Sequence, residues 1–110
     1  MPLFAKGRIE VYLPDLPKSS YQNLLQALDE EFTYTFGGCT IIRGLEGSYL
    51  SNFGEKIQDR ISLIYTDTPF SFQDNSDLLS NYTDEIRNAA LEALEEEVVL
   101  IAVWQVYHSS

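Results

Sequence analysis

The chain has 110 residues, with 17 Asp and Glu against 7 Lys and Arg and a formal net charge of −10. That length suits one domain over residues 1–110, and a composition with 45% hydrophobic and 13% aromatic residues excludes a disordered acidic tail. The carboxylate surplus argues against nucleic acid and anionic membranes as partners, and no apolar run approaches the roughly 20 residues that cross a bilayer.

The first segment, Arg8-Ile9-Glu10-Val11-Tyr12-Leu13, alternates polar and apolar residues and predicts a strand with two unlike faces. Pro14 and Pro17 end it, and Ser19 or Ser20 is expected to cap a helix. Tyr21, Leu24, Leu25, Leu28 and Phe32 recur at three and four residues and form its buried stripe. Gly37-Gly38 is read as the helix exit rather than a phosphate loop, because no Gly-Lys-Ser/Thr follows.

A second strand starts at Cys39 and runs through Arg43 to Leu50, with Gly44 and Gly47 predicting a bend or bulge. Turn residues Ser51 to Gly54 lead into a third strand, Ile57 to Thr66, expected to pair with the second as an antiparallel hairpin. Ile61, Leu63 and Tyr65 are expected to face inward, with Arg60, Ser62, Ile64 and Thr66 outward. Residues 68–76 read as a loop, and a second helix is expected from about Asp77 to about Glu96. Its buried stripe would be Leu78, Leu79, Tyr82, Ile86, Ala89, Ala90 and Leu94. The run from Val98 to Tyr107 is the most strand-like in the chain.

Strand, helix, strand, strand, helix, strand is the order of a ferredoxin-like α+β sandwich. It predicts an antiparallel sheet of order 4-1-3-2 with both helices on one face. On the other face the first strand would show Arg8, Glu10 and Tyr12. The last strand is apolar on both sides, with Val98, Leu100, Ala102, Trp104 and Val106 expected toward the helices and Val99, Ile101 and Val103 away from them. Such a face needs a cover, which predicts a homodimer through the open face or through the last strand; the alternative cover is the loop of residues 67–76.

Side chains with chemical potential are few. One cysteine, Cys39, and one histidine, His108, cannot build the usual zinc or iron–sulfur sites, and no run resembles a calcium loop, so neither a metal nor a cofactor is expected. Cys39 is read as a small buried hydrophobe, and His108 as too near the chain end for a mechanism. Arg8, Glu10, Tyr12, Arg60 and Tyr107 would gather on the open face, with Arg43 and Tyr49 in the glycine-bearing stretch. They are candidates for binding a small carboxylate or phosphate, against the plainer reading of an Arg–Glu network fixing dimer register. Glu92, Glu95, Glu96 and Glu97 form an acidic cluster read as a solvated helix face.

Five pieces together resemble small uncharacterised bacterial proteins of ferredoxin-like topology, cyanobacterial ones among them. They are the Arg8–Leu13 strand, Thr35 to Thr40, Gly47-Ser48-Tyr49, Gly54 before Asp59, and Glu96-Glu97-Val98-Val99. The resemblance implies the fold and carries no activity. RNA-recognition motifs and acylphosphatase-like enzymes share the topology, but their signature residues are absent here. Two functions follow as expectations. The first is a non-catalytic homodimeric module that binds a small molecule or a protein. The second is a small enzyme of the dimeric α+β barrel type, using Arg8, Glu10, Arg43, Tyr49, Arg60 and Tyr107. Residues Met1 to Lys6 lack the basic-then-apolar pattern of a signal peptide, so a cytoplasmic location is expected.

Overall fold

A computed structural model describes residues 3–94 and 99–109. The elements are β1 (Leu3–Pro14), α1 (Ser19–Phe36), β2 (Thr40–Leu50), β3 (Lys56–Asp67), α2 (Ser76–Leu94) and β4 (Leu100–Ser109). They follow the expected order, and the sheet runs β2-β3-β1-β4, which is 4-1-3-2 read from its other edge. All three strand pairs are antiparallel.

Helix α1 buries the expected stripe, Tyr21, Leu24, Leu25, Leu28 and Phe32. Its start differs from expectation. Lys18 is the N-cap, without a side-chain bond, and its carbonyl accepts from Tyr21 and Gln22. Ser19 and Ser20 already lie inside the helix, so their hydroxyls follow rather than precede the first turn. Gly37, at φ 94°, closes the other end by donating its N–H to Thr33 O at 2.9 Å; a residue with a Cβ would be strained there. In α2 the buried positions are Leu79, Thr83, Ile86, Ala90 and Leu94. Leu78 and Ala89 are exposed instead, because the helix is rotated so that Thr83 takes a place beneath it and bonds Ser80 O at 2.9 Å. The expected end at Glu96, and Glu95, Glu97 and Val98, lie outside the described residues.

The core lies between the helices and one face of the sheet. On β1 that face carries Ile9, Val11 and Leu13, each no more than 1% exposed, as expected. The other strands overturn expectation. Ile9 pairs with Thr66, Val11 with Ile64 and Leu13 with Ser62, so these β3 residues face the helices and Ile61, Leu63 and Tyr65 face away. On β4, Ile9 pairs with Val103 and Val11 with Ile101, so Val99, Ile101 and Val103 belong to the core side. Leu100, Ala102, Trp104 and Val106 are on the open face. In both strands the inward set is the opposite of the expected one, because directly paired residues share a face and β1 fixes which face is inside.

Size explains the sorting on β3. Phe32 and Leu28 of α1 are buried on this side of the sheet, as are Ser62, Thr66 and Thr68, whose small side chains take up little of the space beneath the helices. Thr66 Oγ1 donates to Gly38 O at 2.7 Å and Thr68 Oγ1 to Gly7 O at 2.9 Å, while Ser62 Oγ has no hydrogen-bond partner. The loop after β3 is also drawn to the helix side. Gly7 N donates to Phe70 O at 2.6 Å, and Thr68 N to Gly7 O at 2.9 Å. A Cβ on Gly7 would stand 2.9 Å from Leu79 Cδ1 and 3.1 Å from Phe70 O, so glycine permits this close approach. The loop is therefore not the cover of the open face.

The expected irregularity in β2 is a register shift between Ile42 and Leu45. Beyond it the β2–β3 hairpin continues past the end of β1, since β3 pairs with β1 only as far as Ile61 opposite Pro14. No helix among the described residues is long and apolar enough to cross a membrane.

Candidate functional site: the open face of the sheet

Four strands contribute side chains to the uncovered face. From one edge to the other they are Ile42 and Leu45 of β2, Ile61, Leu63 and Tyr65 of β3, Arg8, Glu10 and Tyr12 of β1, and Leu100, Ala102, Trp104 and Val106 of β4. Trp104 is 46% exposed and Leu100 57%. The alternation of β1 places Arg8 and Glu10, with Lys6 farther along, between the largely apolar positions of β3 and β4; Asp67 and His108 share this face.

Arg8 is the centre of this polar group. Its Nε donates to Asp67 Oδ1 at 2.6 Å and its Nη2 to Asp67 Oδ2 at 3.0 Å, a bidentate pair set by the direct pairing of the two residues across β1 and β3. The guanidinium carbon lies 4.4 Å from the centre of the Tyr65 ring and 5.2 Å from that of Trp104, so aromatic rings on both neighbouring strands contact the cation. His108 Nε2 is 2.8 Å from Asp67 Oδ2. The Arg8 hydrogen bond, ahead of its charge and of His108, holds the Asp67 carboxyl below the usual carboxylate value against the opposing effect of burial. Next along β1, Tyr12 Oη donates to Glu10 Oε1 at 2.9 Å, which together with burial raises the phenol's pKa.

Arg8, Glu10 and Tyr12 are thus brought together, and the other candidates are not. Arg60, expected on this face, falls on the opposite one by strand alternation. It lines a cavity of about 370 Å3 with Leu16, Glu46, Ser48 and Gln58. Arg43 lies in the β2 irregularity and donates to Gln22 Oε1 at 3.0 Å on α1. Tyr49 is far along the hairpin, opposite Ile57. Tyr107 pairs with Ala5 on the helix side of β4, where its hydroxyl accepts from Gln105 Nε2 at 2.6 Å. The enzyme candidates do not converge on one pocket. Among the described residues no group of three or more His, Cys, Asp and Glu is placed to hold a metal.

Cys39 packs at the core margin, with Sγ 3.1 Å from Asp29 Oδ1; burial and that carboxylate raise the thiol's pKa, opposite to what a nucleophile needs. Sequence reasoning missed Asp67, Tyr65 and Trp104 as partners of Arg8, and it set His108 aside. Asp67 and His108 lie 59 and 41 residues from the groups they bind. The usable signal was that Asp67 is a charged residue ending an apolar strand.

No family model matches the sequence, and no curated protein matches it. Solved structures do match in shape. The divalent cation tolerance protein CutA1 of Thermus thermophilus superposes with a TM-score of 0.62 at 15% identity, over 96% of this chain and 87% of that one. CutA1 of Oryza sativa gives 0.56 at 15% identity, over 97% and 84%. CPII, a nitrogen regulatory PII-like protein of Thiomonas intermedia bound to ADP, AMP and bicarbonate, gives 0.52 at 16% identity, over 99% and 98%. At such identities the likeness establishes a shared ferredoxin-like fold and leaves activity open.

Proposed function

We propose that this chain is a single-domain, non-catalytic binding module that works as a homodimer, its two copies packed through the open sheet faces. The observation that carries the reading is the set of large apolar side chains on β2, β3 and β4, flanking the Arg8, Glu10 and Tyr12 stripe of β1, on a face that none of the described elements covers. Ile61, Leu63, Trp104 and Leu100 give up the gain of burial if they stay wet, about 1.5–3 kcal/mol for each fully buried side chain. Arg8, Asp67 and His108 suit such an interface because each already has a partner. A charge entering a dry contact without one would cost several kcal/mol.

The same pairing shapes the ligand side of the proposal. Two of the three guanidinium nitrogens of Arg8 are committed to Asp67, so an anion would have to displace an internal carboxylate. We therefore assign Arg8, Glu10 and Tyr12 to fixing the register of the two copies. Arg43, Arg60, Tyr49 and Tyr107 are left as the candidates for contacts with a small molecule or a partner protein.

Light scattering coupled to size exclusion tests the reading. The wild-type protein is expected to run as a dimer, and Leu63→Lys with Trp104→Glu as a folded monomer by circular dichroism. A strict monomer for the wild type at every accessible concentration overturns the proposal.

A further inference from the structure

A second surface, on the opposite side of the molecule, has a different character. The end of α1, the start of α2 and the loop before α2 enclose an open groove of about 610 Å3. Its floor is Phe36, Phe70, Leu79 and Tyr82, with Leu78 on its lip, 48% exposed. Phe36 and Tyr82 meet edge to face at 5.4 Å, which fixes the floor's shape.

The rim is acidic. Glu85 lines the groove, and the Glu31 carboxylate accepts from Tyr82 Oη at 2.9 Å and from Thr35 Oγ1 at 3.2 Å, two groove residues. The charge around it is one-sided. Helix α1 carries Asp29, Glu30 and Glu31 with no Lys or Arg, and α2 carries Asp77, Asp84, Glu85 and Glu92 against Arg87. Arg87 donates to Asp84 at 3.1 Å, so that cation is already engaged. The strands, by contrast, hold Lys6, Arg8, Arg43, Lys56 and Arg60 against Glu10, Glu46, Asp59 and Asp67, close to balance.

We propose that this groove docks a basic amphipathic peptide segment of a partner protein, with apolar side chains four residues apart on Phe36, Phe70 and Tyr82 and Lys or Arg against Glu31 and Glu85. A groove with an apolar floor and a single-sign rim selects a ligand by both features together, since the floor supplies hold and the rim supplies steering. A second copy of this chain is a poor occupant, because it would bring the same acidic helices against these ones. The proposal stands apart from the sheet face and does not depend on the oligomeric state.

The test is titration of the isotope-labelled protein with a synthetic Lys-rich helical peptide bearing Leu at every fourth position, followed by backbone amide shifts. Saturable shifts are expected at Phe36, Phe70, Leu78, Tyr82 and Glu85, weakening as salt rises. Glu85→Lys and Leu78→Ser alter exposed side chains and leave the core intact; each is expected to weaken binding about tenfold, the size of one lost charged or apolar contact. A version with Ser for Leu and another with Glu for Lys should both fail to bind. Equal binding by either version, shifts located on the open sheet face, or no saturable shift at all overturns the proposal.

Discussion

The two faces of the sheet differ in a way that runs against hydrophobicity alone. Under the helices β3 places Ser62, Ile64 and Thr66, and toward the open side it places Ile61, Leu63 and Tyr65. On this strand the covered face is made of smaller and more polar residues than the uncovered one, the reverse of β1. Where helices crowd a sheet, small side chains make room and hydroxyls bond to nearby carbonyls. Where none of the described elements crowds it, large side chains take the places.

Neighbouring residues give the sharpest way to break this comparison. Ile64→Ala empties a site in the core and should cost about 2–5 kcal/mol in urea unfolding, whatever the protein concentration. Leu63→Ala, one residue along, should lower stability most at concentrations where the proposed dimer forms and little where the chain is monomeric. Equal, concentration-independent losses would show that the two faces are energetically alike.

Asp67→Asn removes the negative charge and one of the two acceptor oxygens that hold Arg8 and His108, and should cost about 1.5–3 kcal/mol, the range for bonds to charged groups. The same carboxyl gives a pH signature. Its folded pKa lies below the ordinary value of 3.8, so its contribution is present above that value and is lost as pH falls through the folded one. Acid titration of the wild type should therefore show a loss of stability below pH 3.8 that Asp67→Asn lacks.

Ser62→Ala tests the covered face from the other side. The buried Ser62 hydroxyl has no partner, so removing it should raise stability by about 1 kcal/mol, seen as a higher urea midpoint with unchanged slope. The smallest effect is kinetic. Cys39 should react with a thiol reagent near pH 8 more slowly in the folded protein than in urea, since burial and Asp29 disfavour its thiolate.

What could be read in advance divides along the same line. Element order was legible because each helix carries one apolar stripe and the first three strands have Gly or Pro close to an end, while the last is a long run of β-branched and aromatic residues. The facing of β1 was legible because only one of its two sets, Ile9, Val11 and Leu13, is apolar throughout. For β3 and β4 both sets are apolar or small, so periodicity gives no preference and the choice passes to pairing with β1. The site suffered most from this. Arg8, Glu10 and Tyr12 were found on the strand with an unambiguous face, whereas Arg60 and Tyr107 were misplaced by the two strands without one. His108 and Asp67 meet only through that register, which no local pattern encodes.

The place of β1 in the sheet has a consequence for how the chain reaches this state. β1 is made before the other strands, yet it lies between the third and the fourth, with Leu3 opposite Ser109. During synthesis its first hydrogen-bonding edge has no mate until Lys56–Asp67 has been made, and its second has none until Leu100–Ser109 follows. Until then Ile9, Val11 and Leu13 can shelter only against α1. Closure over such sequence distances is slow compared with helix formation, so the nascent chain must carry β1 with an unpaired edge until its last strand has been made.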